Sequence, residues 1–232
     1  MAIVPFLAMT AAEMRNISAF PPKTAWMACH FSPYGTGLSN LPKTLPPGSL
    51  LMVDDITPPH GHDPVLIGEQ LAQCSEILQC CGILLDFQRK NSRETSELVK
   101  HLIQALPCPA AVSDCYAGDL DCPVFLPPVP PSVPLAAYLT PWKHRDIWLE
   151  LSLGGEILTL TEEGCETVLP PCPDLAGNGF SDGTLHCHYT IESNEKAARF
   201  TLWRTKDDLD ELLREAEAFG ITTTVGLYQE LQ

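Results

Sequence analysis

The strongest constraint on this chain is a rhythm of short apolar runs. AIVPFLAM, TAWMACHF, SLLMVDDI, GILLDFQ, PAAVS, CPVFLP, DIWLELSL and TTTVGLYQE are rich in Val, Ile, Leu, Phe and Trp at successive positions, not only at alternate ones. A strand with one face in water alternates apolar with polar residues; a strand covered on both faces need not. Helix signals fall between several of these runs. Asp63 followed by Pro64 opens one helix, with Leu66, Ile67, Leu71, Cys74 and Leu78 as its apolar residues. A second starts at Asn91 or Ser92 and buries Leu98, Leu102, Ile103 and Leu106, with Glu94 spaced to close a capping box from Asn91. A third starts at Thr205, runs through Leu209, Leu212, Leu213, Ala216 and Phe219, and stops at Gly220.

Strand, helix, strand in this order requires parallel β-structure with crossover helices. About eight such strands predict an α/β fold of TIM type, one (β/α)8 barrel over residues 1–232, with an open doubly wound sheet as the competing topology. SPYGTGLSNLPKTLPPG stands where the helix after the second strand belongs, so the barrel is expected to be small or incomplete. Two segments depart from the rhythm. DIWLELSLGGEILTLTEE sets Gly154 and Gly155 between alternating runs, a two-residue hairpin signal, and TLHCHYTIESNEKAARFTLWR reads as a hairpin around Glu192 to Lys196. Together they predict a β-rich insertion at about 154–204, with VLPPCPDLAGNGFSDG as a loop inside it. FLPPVPPSVP reads as a stiff surface connection.

Charge narrows the partners. The 14 basic and 29 acidic residues leave a net charge of −15, which repels phosphate backbones and anionic lipid, so neither nucleic acid nor membrane is expected as a partner. MAIVPFLAMTAAEMRN has no basic residue before a short apolar run, and the ten cysteines lack paired CxxC spacing. Reduced thiols in a cytoplasm are the expectation, and the oligomeric state is left open. No glycine-rich phosphate loop and no GxSxG elbow appears, so no cofactor is expected.

Reactive groups of such a barrel belong at the C-terminal ends of its strands. Those ends offer His30 and Tyr34, then Asp54 and Asp55, Asp86 and Gln88, Asp114 and Tyr116, Glu150, and finally Tyr228 and Glu230. Acids that bind hydroxyls and rings that stack on sugar faces suit a carbohydrate. PPHGHD brings His60, His62 and Asp63 together, and His186 and His188 alternate on a hairpin strand. Neither pair has a defined third ligand, and Asp63 is wanted as a helix cap, so no metal site is expected.

CGILLDFQ, residues 81–88, resembles the D-G-x-D-x-D-x-E signature that closes the fourth barrel strand in family 18 glycoside hydrolases. Gly82, Ile83 and Asp86 match it and Phe87 takes the aromatic place, while Cys81, Leu84 and Gln88 stand for the first Asp, the second Asp and the Glu. The segment LHCHYTIESNEKAARFTLWRTKDDLDELLREAEAFGITTTVGLYQEL is similar to the end of the family, above all to bacterial members acting on spore and cell-wall glycans. There Trp203 matches a hairpin Trp, and Tyr228 sits where the last strand usually offers a Trp to the sugar. The resemblance implies a (β/α)8 barrel that takes N-acetylhexosamine glycans, and a cell-wall role would imply export. It also implies substrate-assisted chemistry in which an Asp orients the acetamido group and a Glu protonates the leaving oxygen. A carboxamide at Gln88 has no proton to give near neutral pH, which implies a barrel inactive by that mechanism. Two functions follow as expectations. One is a glycan-binding or interaction module using Tyr34, Asp54, Asp55, Asp86, Gln88, Tyr116 and Tyr228; the other is a hydrolase with protons supplied by Asp55, Asp86 or Glu230. A protein-binding domain with an acidic surface is a third.

Overall fold

The computed structural model describes residues 3–90, 92–169 and 179–232. Among them the chain runs β1 (Phe6–Met9), α1 (Ala11–Asn16), β2 (Thr24–Phe31), β3 (Leu38–Ser39), β4 (Leu50–Asp54), α2 (Pro64–Ile77), β5 (Gly82–Asp86) and α3 (Arg93–Ala105). It continues with β6 (Ala110–Ser113), α4 (Asp114–Ala117), β7 (Val124–Leu126), α5 (Leu135–Leu139), β8 (Ile147–Leu151), β9 (Glu156–Thr161) and β10 (Gly164–Val168). The remaining elements are β11 (Phe180–Asp182), β12 (Cys187–Ser193), β13 (Ala197–Trp203), α6 (Lys206–Ala218), β14 (Thr223–Leu227) and α7 (Tyr228–Leu231).

The eight apolar runs of the sequence are the eight parallel strands β1, β2, β4, β5, β6, β7, β8 and β14, and pairing of β1 with β2 closes them into a barrel. Closure gives each strand a packed interior on one face and surrounding helices and loops on the other, which is why each run is apolar on both faces. Ala8, Leu50, Met52, Leu84, Phe125 and Trp148 pack inside. Residues one step away, such as Leu51, Val53, Ile83, Leu85 and Leu149, face the helices. Gly82 makes room for this packing: a Cβ there would lie 2.9 Å from Trp148 Cη2 and 3.0 Å from the Pro109 carbonyl oxygen. β2 shifts register between Trp26 and Cys29, so that Ala25 and Met27 pack inward below the shift while Cys29 and Phe31 pack outward above it. The shift brings His30 opposite Asp54.

The helices obey their start signals. Asp63 caps α2 through Val65 N, and Thr205 caps α6 in a full capping box with Asp208. α3 is capped by Ser92, which accepts from Thr95 N. Asn91, and with it the expected capping box, lies outside the described residues; the Glu94 carboxylate meets His60 Nδ1 (2.5 Å) and accepts from Gly61 N (2.9 Å). A short antiparallel strand, β3, occupies the place of the absent helix after β2.

β9 to β13 form a separate antiparallel sheet of order β10-β9-β13-β12-β11. The hairpin read at Glu192 to Lys196 is β12–β13, with Asn194 Oδ1 accepting from Lys196 N and Ala197 N. Gly154 and Gly155 do not form a hairpin. Both edges of β8 are taken, by β7 and β14, so the glycines instead lead the chain out of the barrel to β9. Of VLPPCPDLAGNGFSDG, residues 170–178 lie outside the described residues and Phe180–Asp182 is strand β11. The proline run after β7 is not a plain surface connection, since Val129 and Pro131 are buried and the Arg204 guanidinium holds it. Arg204, 3% exposed, donates to the carbonyls of Val129, Pro130 (3.3 Å), Leu185 (3.3 Å) and His186 (3.1 Å). Among the described residues no helix is long and apolar enough to cross a membrane.

Candidate functional site

The inward parity of the barrel strands decides which end residues meet. Counting two residues up from the buried layer of Met52, Leu84, Ala111 and Trp148 gives Asp54, Asp86, Ser113 and Glu150 at the C-terminal mouth. Asp54 and Asp86 are register partners on adjacent strands, and Asp54 is bound by His30 Nδ1 at 2.6 Å. Asp86 accepts from Gln88 Nε2 at 3.0 Å and from Ser113 Oγ at 3.4 Å.

Three hollows join into one groove over this mouth. The first, about 170 Å³, lies over Met27, Met52 and Asp54 and ends at Asp86 and Gln88. Those two residues also open the second, about 430 Å³, which passes Ser113, Asp114 and Phe125 to Glu150. Pro127 and Pro128 end the second and begin the third, about 390 Å³, which runs past Tyr138 and Ser152 to Leu169 beside Arg204. One end of the groove is acidic and the other is lined by proline.

Burial raises the Asp86 carboxyl and the repulsion of Asp54 and Asp55 adds to it, while the Gln88 and Ser113 hydrogen bonds pull it back. Burial pushes Glu150 up to about 7, with Asp86 and Glu230 adding repulsion. A carboxyl raised in the fold favours folding while it is protonated. An unfolded Glu titrates near 4.3, so this contribution is whole below that pH and is lost as pH rises through about 7. Exchange of Glu150→Gln is therefore expected to remove a fall of roughly 2–3 kcal/mol in stability between pH 5 and 8. Urea unfolding at both pH values reads it, and parallel pH profiles for the two proteins would refute it.

The other sequence-chosen residues divide. Asp55 is 4% exposed and its two oxygens each accept a backbone N–H at 3.0 Å, from Gln88 and Arg89, while Arg89 Nε donates to its carbonyl. It holds the loop after β5, with both carboxylate oxygens engaged by backbone amides. Tyr116 is a core ring, 5% exposed, edge-on to Phe87 with centroids 6.1 Å apart, so it offers no face to a sugar. Tyr34 is 98% exposed in the turn after β2. Tyr228 begins α7, half-buried, and neither Tyr34 nor Tyr228 lines the three hollows. Glu230 accepts from Ser152 Oγ at 3.0 Å and Leu153 N at 3.1 Å, tying α7 to the exit of β8. Trp203 is buried on β13 with His188 stacked on it at 5.9 Å.

His60 pairs with Glu94, His62 bonds the Pro59 carbonyl at 3.1 Å, and Asp63 caps α2. His186 meets Glu215 at 2.7 Å and His188 meets Asp208 at 2.8 Å, which pins the antiparallel sheet to α6. Among the described residues no three His, Cys, Asp or Glu side chains are grouped as metal ligands.

Glu150 was legible only as an acid at a strand end, not as the partner of Asp86. The signal was a single acid in an otherwise apolar run, IWLEL, at the same height as the Asp of GILLD. Ser113, Pro127 and Pro128 carried no comparable signal.

No protein-family model matches the sequence, and no curated relative matches it. Solved structures do match the fold. A chitinase-like agglutinin from Robinia pseudoacacia has TM-score 0.63 at 12% identity, over 97% of this chain and 95% of that one. The Bacillus cereus spore cortex-lytic enzyme SleL has TM-score 0.57 at 11% identity, over 99% of this chain and 71% of that one. A family 18 chitinase from Cycas revoluta, solved as a mutant with (GlcNAc)4 bound, has TM-score 0.57 at 10% identity, over 97% and 94%. The chain thus has a (β/α)8 barrel like that of family 18 glycoside hydrolases.

Proposed function

We propose that this barrel binds a glycan of N-acetylhexosamine type in the groove across its mouth, without the proton-donor route of family 18. The observation that carries this reading is the pairing of Asp86 with Gln88 inside the groove. Asp86 keeps an oriented carboxylate able to accept from a hydroxyl or acetamido N–H, while the group beside it is an amide that cannot protonate a leaving oxygen. Leu84, fully buried under Asp86, puts no carboxylate at the place of the signature's second Asp. The Cycas chitinase holds (GlcNAc)4 in a form that carries Gln for one Glu, so in that protein such an exchange is compatible with a bound glycan. An open groove with charged and apolar ends also suits a chain of sugars better than a protein surface.

Titration calorimetry with N-acetylglucosamine oligomers is the test. Heat of binding is expected for the native protein, growing stronger from dimer to tetramer as the hollows fill, and at least tenfold weaker for Asp86→Ala. Absence of heat at millimolar oligomer, with the protein shown to be folded, would end this reading.

A further inference from the structure

The second hollow is lined by three carboxyls, and two of them, Asp86 and Glu150, stand on barrel strands in different surroundings, while Asp114 starts α4 and accepts from Cys115 N at 2.7 Å. Asp86 stands on β5 and Glu150 on β8, three steps apart in the strand order β8-β7-β6-β5. At roughly 4.8 Å per step along the wall, with both side chains turned inward, the two acids face each other across the hollow. Phe125, Pro127 and Pro128 contribute apolar wall to the same hollow. Asp86 is held by two donors, Gln88 Nε2 and Ser113 Oγ, that favour its ionised form. No such donor counters the burial of Glu150 among the described residues.

We infer that Asp86 and Glu150 are an acid–base pair that hydrolyses the glycosidic bond of a glycan lying in this hollow. This rests on the glycan-binding reading above and adds a reaction to it, with the acid moved from the end of the fourth barrel strand to the end of the seventh. Glu150 gives its proton to the bridging oxygen, and the bond from that oxygen to C1 breaks with its electron pair going to the oxygen. Asp86 takes a proton from a water molecule whose oxygen bonds C1 from the opposite side. One C1–O bond and one water O–H bond break, one C1–O bond and one alcohol O–H bond form, and nothing is oxidised or reduced. Solvent exchange then returns the proton from Asp86 to Glu150. In inverting hydrolases generally, two carboxyls about 6.5–9.5 Å apart leave room for that water, and the anomeric centre is inverted. Burial raises both carboxyls, but only Asp86 has hydrogen-bond donors that pull it back, which sets Glu150, near 7, in the acid role and Asp86 in the base role.

The test offers the full chain a β-linked hexamer of N-acetylglucosamine, with new reducing ends counted and the fresh anomer read by proton NMR. Expected is slow release of α-anomer, reduced about 10²–10⁴-fold in Glu150→Gln and in Asp86→Asn. Calorimetry is expected to show hexamer binding to Glu150→Gln within about threefold of the native protein. Binding without release in the native protein overturns the inference and leaves the glycan-binding reading standing. Release of β-anomer, or turnover unchanged in Glu150→Gln, overturns the pair as assigned. No binding by any of the proteins overturns both.

Discussion

Exchange of Arg204→Met is expected to destabilise the protein by about 3–5 kcal/mol and to lower its melting temperature by roughly 10 °C. The guanidinium is buried and joins two segments distant in sequence: the proline run after β7, through Val129 and Pro130, and the turn before β12, through Leu185 and His186. Met fills much of the same volume but donates nothing, so several buried carbonyl oxygens lose their partner, each at about 1–3 kcal/mol and not additively. Because Val129 follows Pro127 and Pro128 directly, the loss should also loosen the junction between the second and third hollows. Urea unfolding together with amide exchange in the turn before β12 measures both effects. A change under about 1 kcal/mol would show that the carbonyls find water instead.

The exchange Leu84→Asp, a step toward the full family signature, is expected to cost at least about 4 kcal/mol and to leave little folded protein. Leu84 is fully buried and packs inside the barrel with Phe125 and Trp148. An Asp there gives up the packing of a leucine and places a carboxyl in a layer of largely apolar side chains. Gln88 is exposed above the interior, so Gln88→Glu is expected to cost under about 1 kcal/mol. Circular dichroism melts of both variants test the contrast, and a folded Leu84→Asp protein would mean the interior holds more water than its packing implies.

The barrel was legible because its rule is local. Coverage on both faces writes itself into each run, from FLAM to TTVGL, and Asp63 with Pro64 or Thr205 with Asp208 marks a helix start within four residues. The Gly154–Gly155 signal misled because it is equally local, whereas the filling of both β8 edges depends on β7 and on β14, more than seventy residues later. The site was half legible. Residue type at a strand end found Asp54, Asp86 and Gln88, but it took Asp55 with them, and one step along the backbone turns Asp55 from the mouth to the amides of the next loop. Tyr116 was misread for the same reason. An aromatic near a strand end suits a sugar platform and a core equally, and only the position of Phe87 beneath it decides. Glu150 needed the fold, because what distinguishes it is a hollow shared with a strand three places away.

The irregularity in β2 works as a phase change in the wall. Met27 and Ala28 together span what Met52 spans alone, so the strand enters the barrel in one phase and leaves it in the other. Run as a regular strand with no residue taken up at that point, the same β2 sequence would carry Cys29 and Phe31 into the mouth and turn His30 toward the helices. The partner of Asp54 would then be lost with both His30 and Asp54 intact, so the acidic end of the groove depends on a count of residues as much as on their identity.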